Sequence, residues 1–281
     1  RMIRHHSGDS FLLVTQHDHA LLSGRLAREI GNDLFVPPSP FEEAVDGIAL
    51  HDCGWPVHDD EAPTLNERGL PLNVLESPMD VAVRVWGESA RRSAERNAYT
   101  GLLVSLHVLA LSAVAQKKDD PLPHERWREP RELFELNKFQ HRQAEHQEQL
   151  RKSLGMRTDL PLKLGLATPG VDSREDLLLF NYNLLKTMDR ISLDVCSSDD
   201  LFQTIEAVFP RPGAAPIDLQ VGHPAPRELT VDPWPFGRPR LELDVPCRRL
   251  PARPYEDVEE FHAAYHAAPA EQMSVTVRRA G

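Results

Sequence analysis

Two imidazoles and two carboxylates in this chain have the types and spacings of a mixed nitrogen and oxygen ligand set. His51 and Asp52 are adjacent, within Ile48-Ala49-Leu50-His51-Asp52-Cys53-Gly54-Trp55-Pro56. The apolar spacing of Ala44, Val45, Ile48 and Ala49 predicts a helix. Gly54 stands where a C-cap glycine belongs and Pro56 stops the helix, so His51 and Asp52 are expected in its last turn. Unpaired carbonyls there make the field negative, and Asp52 adds a full charge, so a bound cation would be stabilised. Without such company a His-Asp pair at a helix end is simply a solvated cap.

That company is present elsewhere. His19 lies three residues before Leu22 and seven before Leu26, on the apolar stripe of a predicted helix, and should point inward. The plain alternative is a neutral core histidine bonded to a carbonyl. Asp189 follows Leu185 by four and Tyr182 by seven, which aims its carboxylate at the core. A buried carboxylate is costly unless it is paired, hydrogen-bonded or coordinated. Arg190 points about a quarter-turn away, which makes it the weaker local partner. Two imidazoles with two carboxylates suit a first-row divalent ion, or Mg where water completes the shell; the ligand types do not choose among Mn, Fe, Co, Ni and Zn.

These residues must be positioned by helices. Met2 to His6 and Phe11 to Thr15 flank the turn-forming Ser7-Gly8-Asp9-Ser10 and predict a short hairpin. Thr15 with Asp18 resembles a capping box for the helix that carries His19, and Gly31-Asn32 closes that helix. Prolines 37, 38 and 40 lead to the helix before His51, and Pro56 to Pro78 reads as a long loop of the kind that often carries function. Helices are expected over 79–97 and 98–118, the second apolar nearly all round and holding His107 in its middle. A polar peripheral helix over 130–155, an amphipathic helix over 173–196 with Asp189, and a short helix over 199–208 follow. After Pro210, strands are expected at 228–231, 240–245 and 274–278, with a helix over 255–268. The fold expected is mainly α: a helical bundle core over 1–210 with an N-terminal hairpin, and a small α+β unit over 211–281 packed on it.

Composition narrows the partners. Lys and Arg number 32 against 43 Asp and Glu, a net charge of −11, which argues against a nucleic-acid polymer or an anionic membrane surface as the main partner. Cys53, Cys196 and Cys247 are odd in number and scattered, so neither a disulfide framework nor a thiolate zinc site is indicated. With no apolar run of transmembrane length and no secretory h-region, a cytoplasmic protein is expected.

The order His19, then Leu50-His51-Asp52-Cys53-Gly54, then Met188-Asp189-Arg190-Ile191-Ser192 resembles the HD superfamily of metal-dependent phosphohydrolases, whose helical core brings these positions to one metal. Leu13-Val14-Thr15-Gln16 leading into Asp18-His19-Ala20, together with His51-Asp52-Cys53-Gly54-Trp55, also looks like an uncharacterised bacterial family of HD-like proteins. Trp55 replaces the Lys or Arg of the signalling branch, which puts cyclic-dinucleotide cleavage in doubt. The resemblance implies a divalent metal (Mn, Fe, Ni, Zn or Mg) on His19, His51, Asp52 and Asp189, with His107 as an additional ligand as in two-metal HD proteins. His124 and His141 read better as solvated residues, and Cys53 as a bystander thiol.

The implied reaction is hydrolysis of a nucleotide or another small phosphate ester by a metal-activated water. Asp52 could ligate and accept a proton. His58 and Asp59 in the following loop could supply a further base, and Trp55, Asn73 and Arg84 could contact substrate, with Arg91 and Lys186 as further phosphate partners. Two other functions remain open: an HD-like di-iron oxygenase, and a non-catalytic ligand-binding or interaction protein. A homo-oligomer fits any of them.

Overall fold

Thr15 ends a strand and begins a helix, and this junction ties the β part of the chain to the α part. A computed structural model of the chain describes residues 2–56, 64–73, 76–114, 129–159 and 173–281. Strands β1 (Met2–Ser7) and β2 (Ser10–Thr15) pair antiparallel from Met2↔Thr15 to Ser7↔Ser10. The Thr15 hydroxyl accepts from the Asp18 backbone N–H at 3.0 Å and donates to the Asp18 carboxylate at 2.6 Å. That cap starts α1 (Gln16–Arg28).

Helices α2 (Phe41–Ala49), α3 (Met79–Arg96), α4 (Ala98–Val114), α5 (Pro130–Ser153) and α6 (Ser173–Cys196) follow. The chain then forms β3 (Thr204–Val208), β4 (Ile217–Ala225), β5 (Glu228–Asp232), β6 (Arg240–Pro251), α7 (Val258–Ala267) and β7 (Ala270–Arg279). Among the described residues the seven strands belong to one sheet in the order β1-β2-β6-β7-β5-β4-β3. Its pairs are antiparallel except β5 with β7, and it curls into a half-barrel.

The fold is therefore α+β, which corrects the expectation of a mainly α bundle with a short hairpin and a small C-terminal α+β unit. The hairpin is not an ornament on the helices: β2 pairs with β6 from Ser10↔Pro251 to Leu13↔Arg248, so strands from both sides of position 210 share the sheet. The expected short helix over 199–208 is also corrected. Its second half is β3, bulged where Ala207 has φ 57° and clamped by α6, whose Asn183 amide donates to the Ala207 carbonyl (2.8 Å) and accepts from the Phe209 N–H (2.8 Å).

Alternation along the strands explains the layering. In β2, Leu12 and Val14 join the main core under the helices, whereas Phe11 and Leu13 pack on the opposite face with Tyr255, Phe261 and Tyr265. On β6 and β7, Leu241, Val245, Val275 and Val277 face the helices. Helix α4 is central, with Leu102, Leu103 and Leu106 completely buried, as its all-round apolar surface requires. It packs on α2, α3, α5 and α6. Between α1 and α2, Gly24 allows the close crossing that the site depends on, since a Cβ there would lie 2.5 Å from the Ala49 Cβ.

Candidate metal centre

Four elements converge on one buried point. Helix α1 supplies His19, α4 supplies His107, α6 supplies Asp189, and the turn that follows α2 supplies His51 and Asp52. The helix ends at Ala49, one turn earlier than expected, so His51 and Asp52 lie just past it in a tight turn closed by Cys53 N–H to Leu50 O (3.0 Å) and Trp55 N–H to Asp52 O (3.2 Å). Gly54 is accordingly not the helix cap. It is required by space: a Cβ at this position would sit 2.2 Å from the Val85 carbonyl oxygen and 2.7 Å from the Ser89 nitrogen of α3. The Gly54 N–H donates to the Ser89 hydroxyl at 2.9 Å, which presses the turn against α3.

Within the cluster, His19 Nε2 is 3.1 Å from Asp52 Oδ2. His51 Nε2 is 3.7 Å from the same oxygen and 3.3 Å from Asp189 Oδ1. His107 Nε2 lies 3.8 Å from the other Asp189 oxygen. The His51 ring stands edge-on between the His19 and His107 rings, with centroids 5.2 and 5.1 Å away. One ligand atom each from His19, His51 and Asp189 fits within 4.8 Å. Bonds of about 2.1 Å to one ion would put neighbouring ligand atoms roughly 3.0–3.4 Å apart, close to the shorter separations seen here.

The proton arrangement sharpens this. His51 Nδ1–H donates to the Ile48 carbonyl at 2.7 Å, so the neutral ring turns a lone pair at Nε2 toward both carboxylates. His51 Nε2 is buried and makes no hydrogen bond. Such an arrangement is repulsive unless a proton or a cation lies between. In the cation-free protein the proton takes that place: burial pulls the His51 pKa down, but Asp52 and Asp189 overcome it and push it up to about 9. Burial likewise opposes ionisation of Asp52 and Asp189, yet the imidazoles, His51 foremost, hold both below the usual carboxylate range. His107 goes the other way, since burial, only partly offset by Asp189, lowers it to about 4. A divalent cation would balance the two carboxylate charges with all three imidazoles neutral, so the residues present fit a metal ion.

The two carboxylates keep some exposure, 13% for the Asp189 side chain and 9% for that of Asp52, against 1% for His19 and His51.

Trp55 is buried among Met79, Val85 and Phe139, and its indole N–H donates to Asp52 Oδ1 at 3.1 Å, so it orients the carboxylate from behind. Asn73 bridges to Met2 beside the hairpin, and its backbone N–H donates to Glu76 Oε2 at 2.8 Å. Arg84 is on the exposed face of α3, and Arg91 pairs there with Glu88 and Glu95. His141 is on α5 and donates to the Asn137 carbonyl at 2.8 Å. The Cys53 thiol turns to the Ser89 carbonyl and the Ser93 hydroxyl, with burial raising its pKa. His58, Asp59 and His124 lie outside the described residues.

Sequence reasoning passed over Ser23 and Ser192, both fully buried, whose hydroxyls are 2.7 Å apart beside His19. Their helical spacing was the available signal: Ser23 is four residues after His19 and Ser192 three after Asp189. It also passed over His17, whose pKa burial lowers against the pull of Asp18 and Asp52.

Residues 2–252 match the family described as Protein of unknown function (DUF3891), and the chain belongs to that family. No curated protein and no solved structure matches the chain.

Proposed function

We propose that this member of the family is a metal-dependent phosphohydrolase, acting on a nucleotide or another small phosphate ester at the centre formed by His19, His51, Asp52 and Asp189. One observation carries the reading: His51 Nε2, buried and without a hydrogen bond, faces two carboxylates while its Nδ1–H is committed to Ile48. An HD-like ancestry is part of the same proposal, resting on the order of these residues.

A divalent ion held there, Mn, Fe, Ni, Zn or Mg, would lower the pKa of a bound water and polarise a phosphoryl oxygen. The chain's own residues do the rest. Trp55 fixes Asp52 through Oδ1, which leaves Oδ2 turned toward the imidazoles as the oxygen that would hold the ion. Lys186, one turn before Asp189 on α6, holds its ammonium 5.6 Å over the Tyr182 ring and would have to swing off that ring to meet a phosphate arriving over Asp189. The apolar wall of Trp55, Met79 and Val85 behind the turn keeps bulk water from the far side.

A second reading has its own support. His107 faces the Asp189 oxygen that His51 does not, which gives that carboxylate two directions in which to bind and suits a two-iron oxygenase. Metal analysis of protein purified without added metal, combined with phosphate release from a panel of nucleotides and phosphate esters, separates the two. Phosphate release that disappears in Asp52→Ala supports the hydrolase; two irons per chain, an oxygen-sensitive spectrum and no phosphate release support the oxygenase. Absence of bound metal, with no uptake of Mn, Fe, Ni, Zn or Mg on titration, defeats both.

A further inference from the structure

The His19 ring offers two nitrogens, and each has a neighbour. Nε2 faces Asp52 Oδ2 at 3.1 Å, and Nδ1 faces the Ser192 hydroxyl at 3.0 Å. We infer that Ser192 is a positioning residue: its hydroxyl accepts the Nδ1–H of His19, fixing the tautomer that leaves Nε2 as the ligand atom. The inference rests on the metal reading of the centre and not on the phosphate-ester reading.

The hydrogen-bond directions support this assignment. Ser192 has one hydroxyl proton, and it donates that proton to the Asp189 carbonyl at 2.9 Å, three residues earlier on α6. Its oxygen is then an acceptor toward His19. Ser23 sits 2.7 Å behind it and donates its own proton to the Ser192 oxygen, whose second lone pair remains for the ring, so neither hydroxyl donates into the ring. The Asp189 carboxylate is 3.9 Å from Nδ1, too far to take the proton instead. Ser192 is completely buried, which closes the place to water as a substitute acceptor.

His51 obeys the same rule by another means, since the Ile48 carbonyl holds its Nδ1–H. Both rings are thereby set to present Nε2, one by backbone and one by a side chain. Only the side chain can be removed by substitution. Ser192→Ala would leave the His19 N–H buried without an acceptor, or let the ring turn toward Asp189 and compete for a ligand oxygen. Loss of such an outer partner weakens a metal site by about 10–100-fold.

Zinc, which is diamagnetic, is the probe. Long-range proton–nitrogen spectra of zinc-loaded wild-type protein with labelled histidine should show His19 protonated at Nδ1 and zinc-bound at Nε2. Zinc competition titrations should show Ser192→Ala weakened by about 10–100-fold and Ser192→Thr, which keeps the hydroxyl, within tenfold of wild type. Zinc on Nδ1 in the wild-type spectrum overturns the inference, and so does wild-type zinc affinity in a folded Ser192→Ala. Should Ser192→Ala fail to fold, the wild-type spectrum alone decides. If the wild-type chain takes up no zinc or any other divalent ion, the metal reading falls with the inference. Zinc affinity unchanged in Ser192→Ala removes the inference and leaves the metal reading standing.

Discussion

Gly54→Ala tests how the fold holds the His51 and Asp52 turn. The new methyl would lie 2.2 Å from the Val85 carbonyl oxygen and 2.7 Å from the Ser89 nitrogen, both backbone atoms of α3. The first contact is roughly 1 Å shorter than van der Waals packing allows, and a helix backbone cannot rotate out of the way as a side chain can. Overpacking of this kind costs about 1–3 kcal/mol, and separation of the turn from α3 also stretches the 2.9 Å bond from Gly54 N–H to Ser89, worth about 1 kcal/mol. A total of roughly 2–4 kcal/mol corresponds to a melting temperature lower by about 4–16 °C for a chain of this size. Gly87→Ala on the same helix is the control, because its methyl meets only a Phe139 ring carbon at 3.9 Å and should be neutral or stabilising by up to about 1 kcal/mol. Thermal unfolding of the two variants beside wild type measures the difference. Ligand distances in a metal site tolerate only about 0.2 Å, so zinc affinity in Gly54→Ala should fall by at least about tenfold. If Gly54→Ala melts with Gly87→Ala and binds zinc as wild type does, the reasoning from close approach is wrong.

Two further perturbations address charge. Arg151 of α5 and Glu175 of α6 form a buried ion pair, 1% and 3% exposed, so Arg151→Met, which takes the guanidinium from the buried carboxylate, should cost about 3–5 kcal/mol in urea unfolding. The double variant Arg151→Met with Glu175→Leu should recover much of that loss; equal destabilisation of single and double variants counts against the assignment. In the cation-free protein, His51 has its folded pKa raised to about 9 from 6.5, so its contribution to stability is complete below pH 6.5 and is lost as pH rises through about 9. His107, lowered to about 4, has the opposite sense and loses its contribution as pH falls from 6.5 toward 4. Chelator-treated protein should therefore be less stable to urea at pH 9 than at pH 6.5, and added zinc should remove that loss. A chelator-treated protein that gains stability over this interval contradicts the proton arrangement drawn for His51.

The sequence by itself determined the local elements and the direction of the key side chains. Period 3.6 in Leu22, Leu26 and their neighbours put His19 on the inner face of α1, and the same period put Asp189 on the inner face of α6, because a helix forms its hydrogen bonds within a short stretch and displays its faces in the residue order. The hairpin and the Thr15 cap were legible for the same reason. Tertiary structure decided what local signals do not encode. A strand's partner is chosen by distant residues, so the pairing of β2 with β6, the parallel pairing of β5 with β7 and the single sheet they build had no signature in any one window. The segment 204–208 follows the same logic, taken from a helical reading to a strand by β4 and by the Asn183 clamp from α6. At the site, residue types suggested a ligand set, but only packing showed Gly54 serving close approach to α3, Trp55 serving Asp52, and Ser192 lying against His19. These are contacts between side chains and backbone far apart in the chain, fixed by how the helices cross and not by the spacing of residues along any of them.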